Sequence, residues 1–230
     1  MANGLARALW DGGDMDVLER ALSIPVPGAG AIEGDLRLPA DPAGLVVFAH
    51  GSGSSRRSPR NRMVADRLNA SGFGTLLIDL LTREEEDVDA RTGHLRFDIG
   101  MLAERLLVAG DAMVTEPAAR DLPLGYVGAS TGAAAAILAA ADRPGTVRAI
   151  VSRGGRPDLA GDALPRVRAP TLLIVGSLDE AVIELNGRAA RLMRCERRLA
   201  IVAGATHLFE EPGTLDEAAR LAIGWFTRHL

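Results

Sequence analysis

From residue 45 onward, short apolar runs alternate with segments of helical periodicity, and this alternation restricts the chain to few folds. The apolar runs are continuous rather than confined to every second position, which is typical of parallel strands covered by helices on both faces. We therefore predict an α/β fold with a doubly wound, mostly parallel sheet. Strands are expected at residues 45–49, 74–79, 124–128, 147–152, 171–176 and 198–203, and helices at about residues 59–71, 98–115, 131–141, 183–195 and 214–229.

Two further strand-like runs precede this alternation. Residues 22–27 and 31–38 are separated by a glycine-rich turn, which predicts a hairpin at the edge of the sheet. Residues 1–20 are expected to form an N-terminal extension, either helical or loose. With 230 residues, of which 47% are hydrophobic, the chain can bury the core of one α/β domain. We therefore predict a single domain over residues 1–230.

Residues 128–132, with the sequence GASTG, lie between an apolar run and an alanine-rich stretch. Ser130 is therefore expected on a turn from a strand into a helix, where a serine hydroxyl can act as a nucleophile. Glycines on both sides leave room for the strand and the helix to approach closely. The alternative is an ordinary helix start in which Ser130 is only an N-cap.

A nucleophilic serine needs a general base, and histidine is scarce in this chain. The four histidines are His50, His94, His207 and His229. His207 follows the apolar run 199–202 through a loop of small residues, which is where a strand end presents a side chain to a ligand. We predict that His207 is the base, with a core or surface histidine as the alternative.

The third member of such a site is an acid that orients the histidine. Asp179 follows the predicted strand at residues 171–176 and lies between Ser130 and His207 in the sequence. The chain order Ser, Asp, His is that of one of the known serine hydrolase plans. Glu180 is the nearest rival and Asp158 a weaker one, and Asp179 is alternatively a helix cap.

Backbone amides are the expected partners of a negatively charged reaction intermediate. Thr131 would begin the helix, where its amide has no acceptor within the helix. The glycine-rich loop at residues 50–55 follows a strand, and we expect the amide of Ser52 to be the second donor. A phosphate-binding G-x-G-x-x-G pattern fails in this loop because Arg56 occupies its last position.

Composition excludes several other kinds of site. All 26 basic residues are arginine, so lysine-based chemistry is excluded. Cys195, the single cysteine, is interpreted as structural within a helical stretch, and no metal-ligand spacing is present. We expect no cofactor and no metal. The net charge of −4 predicts neither a nucleic-acid nor a membrane partner, and with no recognisable signal peptide the expected location is the cytoplasm.

Taken together, these motifs resemble the α/β-hydrolase fold, and their compact spacing resembles its dienelactone hydrolase-like branch. The resemblance covers residues from about 22 to 229 and implies a catalytic triad of Ser130, Asp179 and His207. Dienelactone hydrolase proper uses a cysteine nucleophile, so the serine here favours a carboxylic ester as the small-molecule substrate. The alternatives are a lactone hydrolase, an amidase, or a ligand-binding protein without catalysis. The oligomeric state is left open.

Access to this site is predicted from three segments. Residues 153–170 are rich in glycine and proline, which argues against a large cap and for small, soluble esters. Residues 81–97 are long enough to form a partial cover. Arg56, Arg57 and Arg60 lie just after the proposed amide loop, where they would either attract anionic esters or simply face water.

Overall fold

The computed structural model describes residues 17–230, and eight strands in this part of the chain form one sheet. They are β1 (Leu18–Val26), β2 (Gly30–Leu38), β3 (Leu45–Ala49), β4 (Gly74–Ile78), β5 (Leu124–Ala129), β6 (Val147–Arg153), β7 (Thr171–Gly176) and β8 (Arg197–Val202). Their order across the sheet is β1-β2-β4-β3-β5-β6-β7-β8. Strands β3 to β8 pair in parallel, while β1 and β2 form the antiparallel hairpin at one edge.

Within residues 17–230, six α-helices connect and cover these strands. They are α1 (Pro59–Ala70), α2 (Arg83–Thr92), α3 (Ile99–Thr115), α4 (Thr131–Asp142), α5 (Glu180–Leu192) and α6 (Thr214–His229), with short 3₁₀ helices at Leu95–Phe97 and Pro157–Ala163. The fold class is therefore confirmed as a mostly parallel α/β sheet with helices on both faces. No helix within residues 17–230 is long and apolar enough to cross a membrane.

Each face of the sheet is covered by its own core, and every residue of the central strands β3 and β4 is therefore buried. On one face, side chains of α3, α4 and α5 pack against the sheet. On the other face, α1 and α6 contribute Leu68 and Phe226, both fully buried. Phe226 lies against Gly125 so closely that a Cβ there would come 2.7 Å from the ring. The continuous apolar runs of the sequence follow from this double burial.

The structure differs from the sequence prediction at the N-terminal edge. Strand β1 begins at Leu18 rather than near residue 22, so residues 18–20 belong to the sheet and not to the predicted extension. Residues 1–16 of that extension lie outside the described residues. The early part of β1 is mostly exposed, because it forms an edge strand, and it therefore lacks the apolar run by which a buried strand is recognised.

Two helices also differ from the prediction. Helix α2 has no counterpart among the predicted helices, because its sequence, REEEDVDART, has no apolar stripe. A capping box holds its first turn: Thr82 accepts from the amide of Glu85, and Glu85 accepts from the amide of Thr82. Helix α5 begins at Glu180 and ends at Leu192, so Cys195 lies in the following loop rather than in a helix.

The connection from β6 to β7 contains only short helical turns. Its 3₁₀ segment, Pro157–Ala163, is interrupted at Gly161, which has a left-handed φ of 49°. The absence of a long helix within residues 153–170 agrees with the prediction from their glycine and proline content.

Candidate active site

Ser130 occupies a strained turn between β5 and α4. Its φ of 49° and ψ of −122° fall in a region that residues with a side chain rarely adopt. Such strain costs of order 1–3 kcal/mol and persists only where the surroundings enforce it. Here the carbonyl of Ser130 accepts from the amides of Ala133, at 3.2 Å, and Arg156, at 3.0 Å. The turn is thus held from both the helix and the loop after β6.

The two glycines around Ser130 are required by close backbone packing. A Cβ on Gly128 would lie 2.4 Å from the Cα of Ala133, inside the start of α4. A Cβ on Gly132 would lie 2.3 Å from the carbonyl oxygen of Ala49 at the end of β3. Both contacts are with backbone atoms, which cannot move aside as a flexible side chain would. The sequence prediction of close packing at these glycines is confirmed.

His207 and Asp179 meet at the carboxyl ends of β8 and β7. The distance from His207 Nδ1 to Asp179 Oδ2 is 2.6 Å, which is a short charge-assisted hydrogen bond. The loops that carry them touch at Gly176, where a Cβ would lie 2.3 Å from the carbonyl oxygen of Ala205. With Nδ1 donating to the carboxylate, Nε2 of the imidazole is left as the proton acceptor.

Ser130 and His207 face one cavity of about 250 Å³, which we call the Ser130 cavity. Six of its lining residues are Ser52, Ser58, Asn61, Ser130, Arg153 and His207. Asp179 is not part of this lining and has a side chain only 15% exposed, so it stands behind the imidazole. Ser130 and His207 thus share one cavity, and Asp179 is bound to the imidazole from outside that lining.

Thr131 and the turn that contains Ser52 lie next to Ser130. Thr131 is the first residue of α4, whose opening amides have no acceptor within the helix. Ser52 lies in a turn closed by a 3.1 Å hydrogen bond from the amide of Ser54 to the carbonyl of Gly51. A Cβ on Gly51 would come 2.9 Å from the Cβ of Ser130, so this turn passes directly beside the hydroxyl-bearing residue.

His50 anchors that turn rather than facing the cavity as a base. Its Nδ1 donates to the carbonyl of Gly51 at 2.9 Å, and its Nε2 accepts from the amide of Leu80 at 3.1 Å. Both ring nitrogens are therefore occupied, and the ring is neutral. Burial disfavours the imidazolium and lowers the pKa of His50 below its ordinary value of 6.5, despite the opposing effects of the Gly51 carbonyl and Asp79.

A second cavity of about 210 Å³ lies on the other side of the same turn, and we call it the α2 cavity. Its lining includes Ser52, Leu81, Glu86, Ala90, Leu102 and Thr131. Residues 81–97 thus form a small cover, made of α2 and the 3₁₀ helix that follows it. Burial and the charge of Asp79 raise the pKa of Glu86 in this wall.

Polar contacts hold this cover in place. Asp89 accepts from Nε of Arg96 at 2.6 Å and from its amide at 3.2 Å. Glu85 receives a hydrogen bond of 2.6 Å from Arg105 of α3, whose side chain is 7% exposed. The Asp89–Arg96 pair thus joins the two parts of the cover, while the Glu85–Arg105 pair and the packing of Leu81 and Leu95 on the core attach it to the body.

The rival candidates lie elsewhere. Asp158 forms a two-pronged pair with Arg156, both contacts being 2.8 Å. Glu180 is exposed at the first position of α5. His94 contacts the hydroxyl of Thr92 at 2.7 Å, and the ring of His229 packs on Trp225 with centroids 4.5 Å apart.

The arginines that the sequence singled out are mostly paired. Arg56 forms ion pairs with Asp79 and with Asp35, the latter at 3.4 Å. Arg60 lines the Ser130 cavity and forms an ion pair of 3.0 Å with Glu210, whose side chain is 63% exposed. Arg57 is exposed.

The sequence prediction missed Arg153, the last residue of β6. It is 6% exposed, lines the Ser130 cavity and pairs across the sheet with Ala129, the neighbour of Ser130. Burial, reinforced by the positive charge of Arg60, lowers the pKa of Arg153 to about 10, so it is charged at neutral pH. Its position at a strand end was the available signal, because ligands bind at that edge of a parallel sheet.

Comparison with known proteins identifies close relatives of this chain. The model of the dienelactone hydrolase family matches residues 32–225. The crystal structure of a dienelactone hydrolase from Anabaena variabilis is 55% identical, covers 93% of this chain and 99% of its own, and superposes with a TM-score of 0.90. Carboxyl esterase 2 of the fungus Tuber melanosporum, at 16% identity, covers 94% of this chain and 89% of its own with a TM-score of 0.71, which reflects a shared fold.

A curated relative carries a different description. A protein of Mycobacterium tuberculosis described as a putative phosphoribosyl transferase is 57% identical over 206 residues, which is 90% of this chain. The chain spans only 45% of that relative's length. More than half of the relative therefore has no counterpart in this match.

The strained backbone at Ser130 predicts an unusual order of stability among substitutions. Glycine adopts a φ of 49° without strain, whereas alanine at this position remains strained, as serine is. We expect the free energy of unfolding of Ser130→Gly to be about 1 kcal/mol higher than that of Ser130→Ala. Denaturant unfolding of the two variants measures this difference. If the alanine variant is equally stable or more stable, the turn is not strained.

The buried, neutral His50 predicts a specific pH dependence of stability. Since its folded-state pKa lies below the unfolded value, its contribution is complete above about pH 6.5 and is lost as pH falls through the folded-state pKa. The free energy of unfolding should therefore decline below pH 6.5, with this residue contributing a slope of up to about 1.4 kcal/mol per pH unit. His50→Gln should flatten that decline, and unfolding curves between pH 8 and pH 5 test it.

The matched control is His94→Gln, because His94 is exposed and lies outside the core. It should leave the pH dependence of the unfolding free energy as in the parent. An unchanged slope in His50→Gln would contradict the assignment of a neutral, buried imidazole.

Proposed function

The chain belongs to the dienelactone hydrolase family, and we propose that it is a serine hydrolase that cleaves carboxylic esters of small soluble molecules through an acyl-enzyme intermediate. The observation that carries the proposal is the strained Ser130, which shares a cavity with a histidine bound to a carboxylate at 2.6 Å. A hydroxyl, an imidazole and an acid in these relations are the parts needed for acyl transfer.

In the first half of the proposed reaction, Nε2 of His207 removes the proton of Ser130 while the serine oxygen attacks the ester carbonyl. Asp179 accepts from Nδ1 and stabilises the imidazolium that forms. The amides of Ser52 and Thr131 are the proposed donors to the tetrahedral oxyanion. The imidazolium then gives its proton to the alcohol oxygen as the ester bond breaks.

In the second half, water attacks the acyl-enzyme. His207 takes a proton from the water, the same amides hold the second oxyanion, and the Ser130 oxygen leaves with the proton from His207. The carboxylic acid is released and the free enzyme returns. Every proton in this cycle moves through His207, so the reaction requires no cofactor.

The transferase description of the Mycobacterium tuberculosis relative is not extended to this chain. The match to that relative covers 90% of this chain and so includes most of residues 32–225, which the dienelactone hydrolase model matches. We infer that the transferase description refers to the part of that relative that this chain does not match. Lactones and amides remain the alternative substrates, since the same three side chains would act on them.

The two cavities favour small substrates. They measure about 250 and 210 Å³ and lie on either side of the turn that carries Ser52. Ligand sites for drug-sized molecules span roughly 300–1,000 Å³, so each cavity alone is near or below the lower end of that range. We therefore infer short acyl and alcohol parts, one on each side of the oxyanion.

Removal of the proposed nucleophile or base should abolish turnover in a non-additive way. We expect Ser130→Ala and His207→Ala each to lower kcat by several orders of magnitude, about 10⁴-fold or more, with the double variant little worse. A fluorophosphonate probe should label the parent at Ser130, as found by mass spectrometry. A protein that only binds ligands would not be labelled.

A matched pair of substitutions tests the acid. Asp179→Asn should lower kcat by about 10⁴-fold, because the amide favours the wrong imidazole tautomer. Glu180→Gln, one residue further and exposed, should retain the activity of the parent. The reverse outcome would assign the acid to Glu180.

Acyl chain length provides the test of a small, open site. Rates on para-nitrophenyl esters should be highest for acetate to butanoate and should fall for decanoate and longer chains, since the cavities are small. No jump is expected at the micellar threshold, because residues 153–170 form only short 3₁₀ turns and no lid helix. A steep rise with long chains at that threshold would indicate a lipase instead.

A further inference from the structure

Arg153 is a buried cation whose charge is not balanced within the part of the chain described. Its guanidinium donates from Nη2 to Asn61 Oδ1 at 2.9 Å, and its Nε is buried without a hydrogen-bond partner among residues 17–230. The ring of Phe209 lies 5.7 Å from Cζ. A buried charge without an opposite charge is strongly unfavourable, and a protein retains one mainly where a ligand completes it.

The location of Arg153 connects this charge to the proposed reaction. It lines the Ser130 cavity together with Ser130 and His207, and its partner on the neighbouring strand is Ala129. A negative group of the substrate that is bound to Arg153 therefore lies within the same cavity of about 250 Å³ as the reacting carbonyl.

Further donors surround the same cavity. Arg60 brings a second guanidinium, and its ion pair with the exposed Glu210 is of a kind that contributes little and exchanges readily with another anion. Ser52, Ser54 and Ser58, which each carry a hydroxyl, line the cavity as well. Ser58 is also the N-cap of α1, so the positive end of that helix dipole points to this wall.

We propose that Arg153, Arg60 and the adjoining serine hydroxyls form a subsite for a phosphate group carried by the substrate. The proposal rests on the proposed function and narrows its substrate to phosphorylated esters or lactones. Two guanidinium groups match a dianion, and hydroxyl donors around the cavity match the three outer oxygens of a tetrahedral group. A planar carboxylate has one charge and two oxygens, so a single guanidinium would satisfy it.

Steady-state kinetics with three matched esters tests the subsite. The para-nitrophenyl esters of phosphonopropanoic acid, succinic acid and pentanoic acid end in a phosphonate, a carboxylate and a methyl group. A second series carries the same three groups on the alcohol side of an acetate ester. In one of the two series we expect kcat/KM for the phosphonate to exceed that of the neutral ester by about tenfold or more.

Substitution of the arginines tests whether they cause the preference for the phosphonate ester. Arg153→Met keeps an unbranched stem against Phe209 and should lower the ratio of phosphonate to neutral kcat/KM by about tenfold or more. Arg60→Met, at a half-exposed position, should lower the same ratio about threefold or more and provides the test if the first variant fails to fold. Arg166→Met removes an equal charge from a surface pair with Asp142 and should leave the ratio unchanged.

Binding to the Ser130→Ala protein separates this proposal from the proposed function. Calorimetric titration with phenylphosphonate and with benzoate requires no hydrolysis. We expect the phosphonate to bind about tenfold more tightly or better, and Arg153→Met in the same background to abolish the difference. Equal binding of the two ligands, or a preference that survives Arg153→Met, would overturn the phosphate subsite even if ester hydrolysis is observed. Conversely, tight phosphonate binding without hydrolysis would retain the subsite and reject the serine hydrolase.

Discussion

The site depends on backbone packing between the end of β3 and the start of α4. Gly132 lies so close to the carbonyl oxygens of Ala49 and His50 that no Cβ fits between them. This contact fixes the distance from the turn at residues 50–54 to the helix that follows Ser130. Because His50 bonds both Gly51 and Leu80, the same contact also sets the position of the end of β4. One glycine contact thus determines where the serine, the proposed oxyanion donors and the walls of both cavities stand.

The electrostatics of the Ser130 cavity are asymmetric. On one side, Asp179 provides a negative charge behind His207 at 2.6 Å. On the other side, Arg153 is buried with a positive charge that Arg60 reinforces rather than balances. An ester that bears an anionic group would be oriented by this difference before any bond changes, with its charge toward β6 and its carbonyl toward Ser130. Orientation of this kind increases rate because fewer arrangements of the bound substrate are unproductive.

Sequence patterns predicted the parts of the fold that double burial enforces. The apolar runs located β3 to β8 to within one residue at each end, because strands buried on both faces, such as β3 and β4, are almost wholly apolar. Ser130, Asp179 and His207 were singled out because each follows the end of one of these predicted strands. Helix α2 was missed because polar capping and ion pairs hold it, and these leave no periodic signal. Arg153 was missed because burial without an opposite charge is a property of its surroundings: the sequence contains many arginines, and only the fold shows that this one is enclosed.

Helix α2 differs from the rest of the molecule in how it is attached. Its charged sequence is held locally by the Thr82–Glu85 cap and the Asp89–Arg96 pair, and Glu85–Arg105 ties it to α3. No side chain of Arg83–Thr92 belongs to either apolar core. A segment joined in this way is exchangeable: it can be replaced by a different one with little effect on the core, because few apolar contacts are lost. The α2 cavity is therefore the part of this scaffold where new substrate preferences can be introduced, by evolution or by design, while the turn at Ser130 stays as it is.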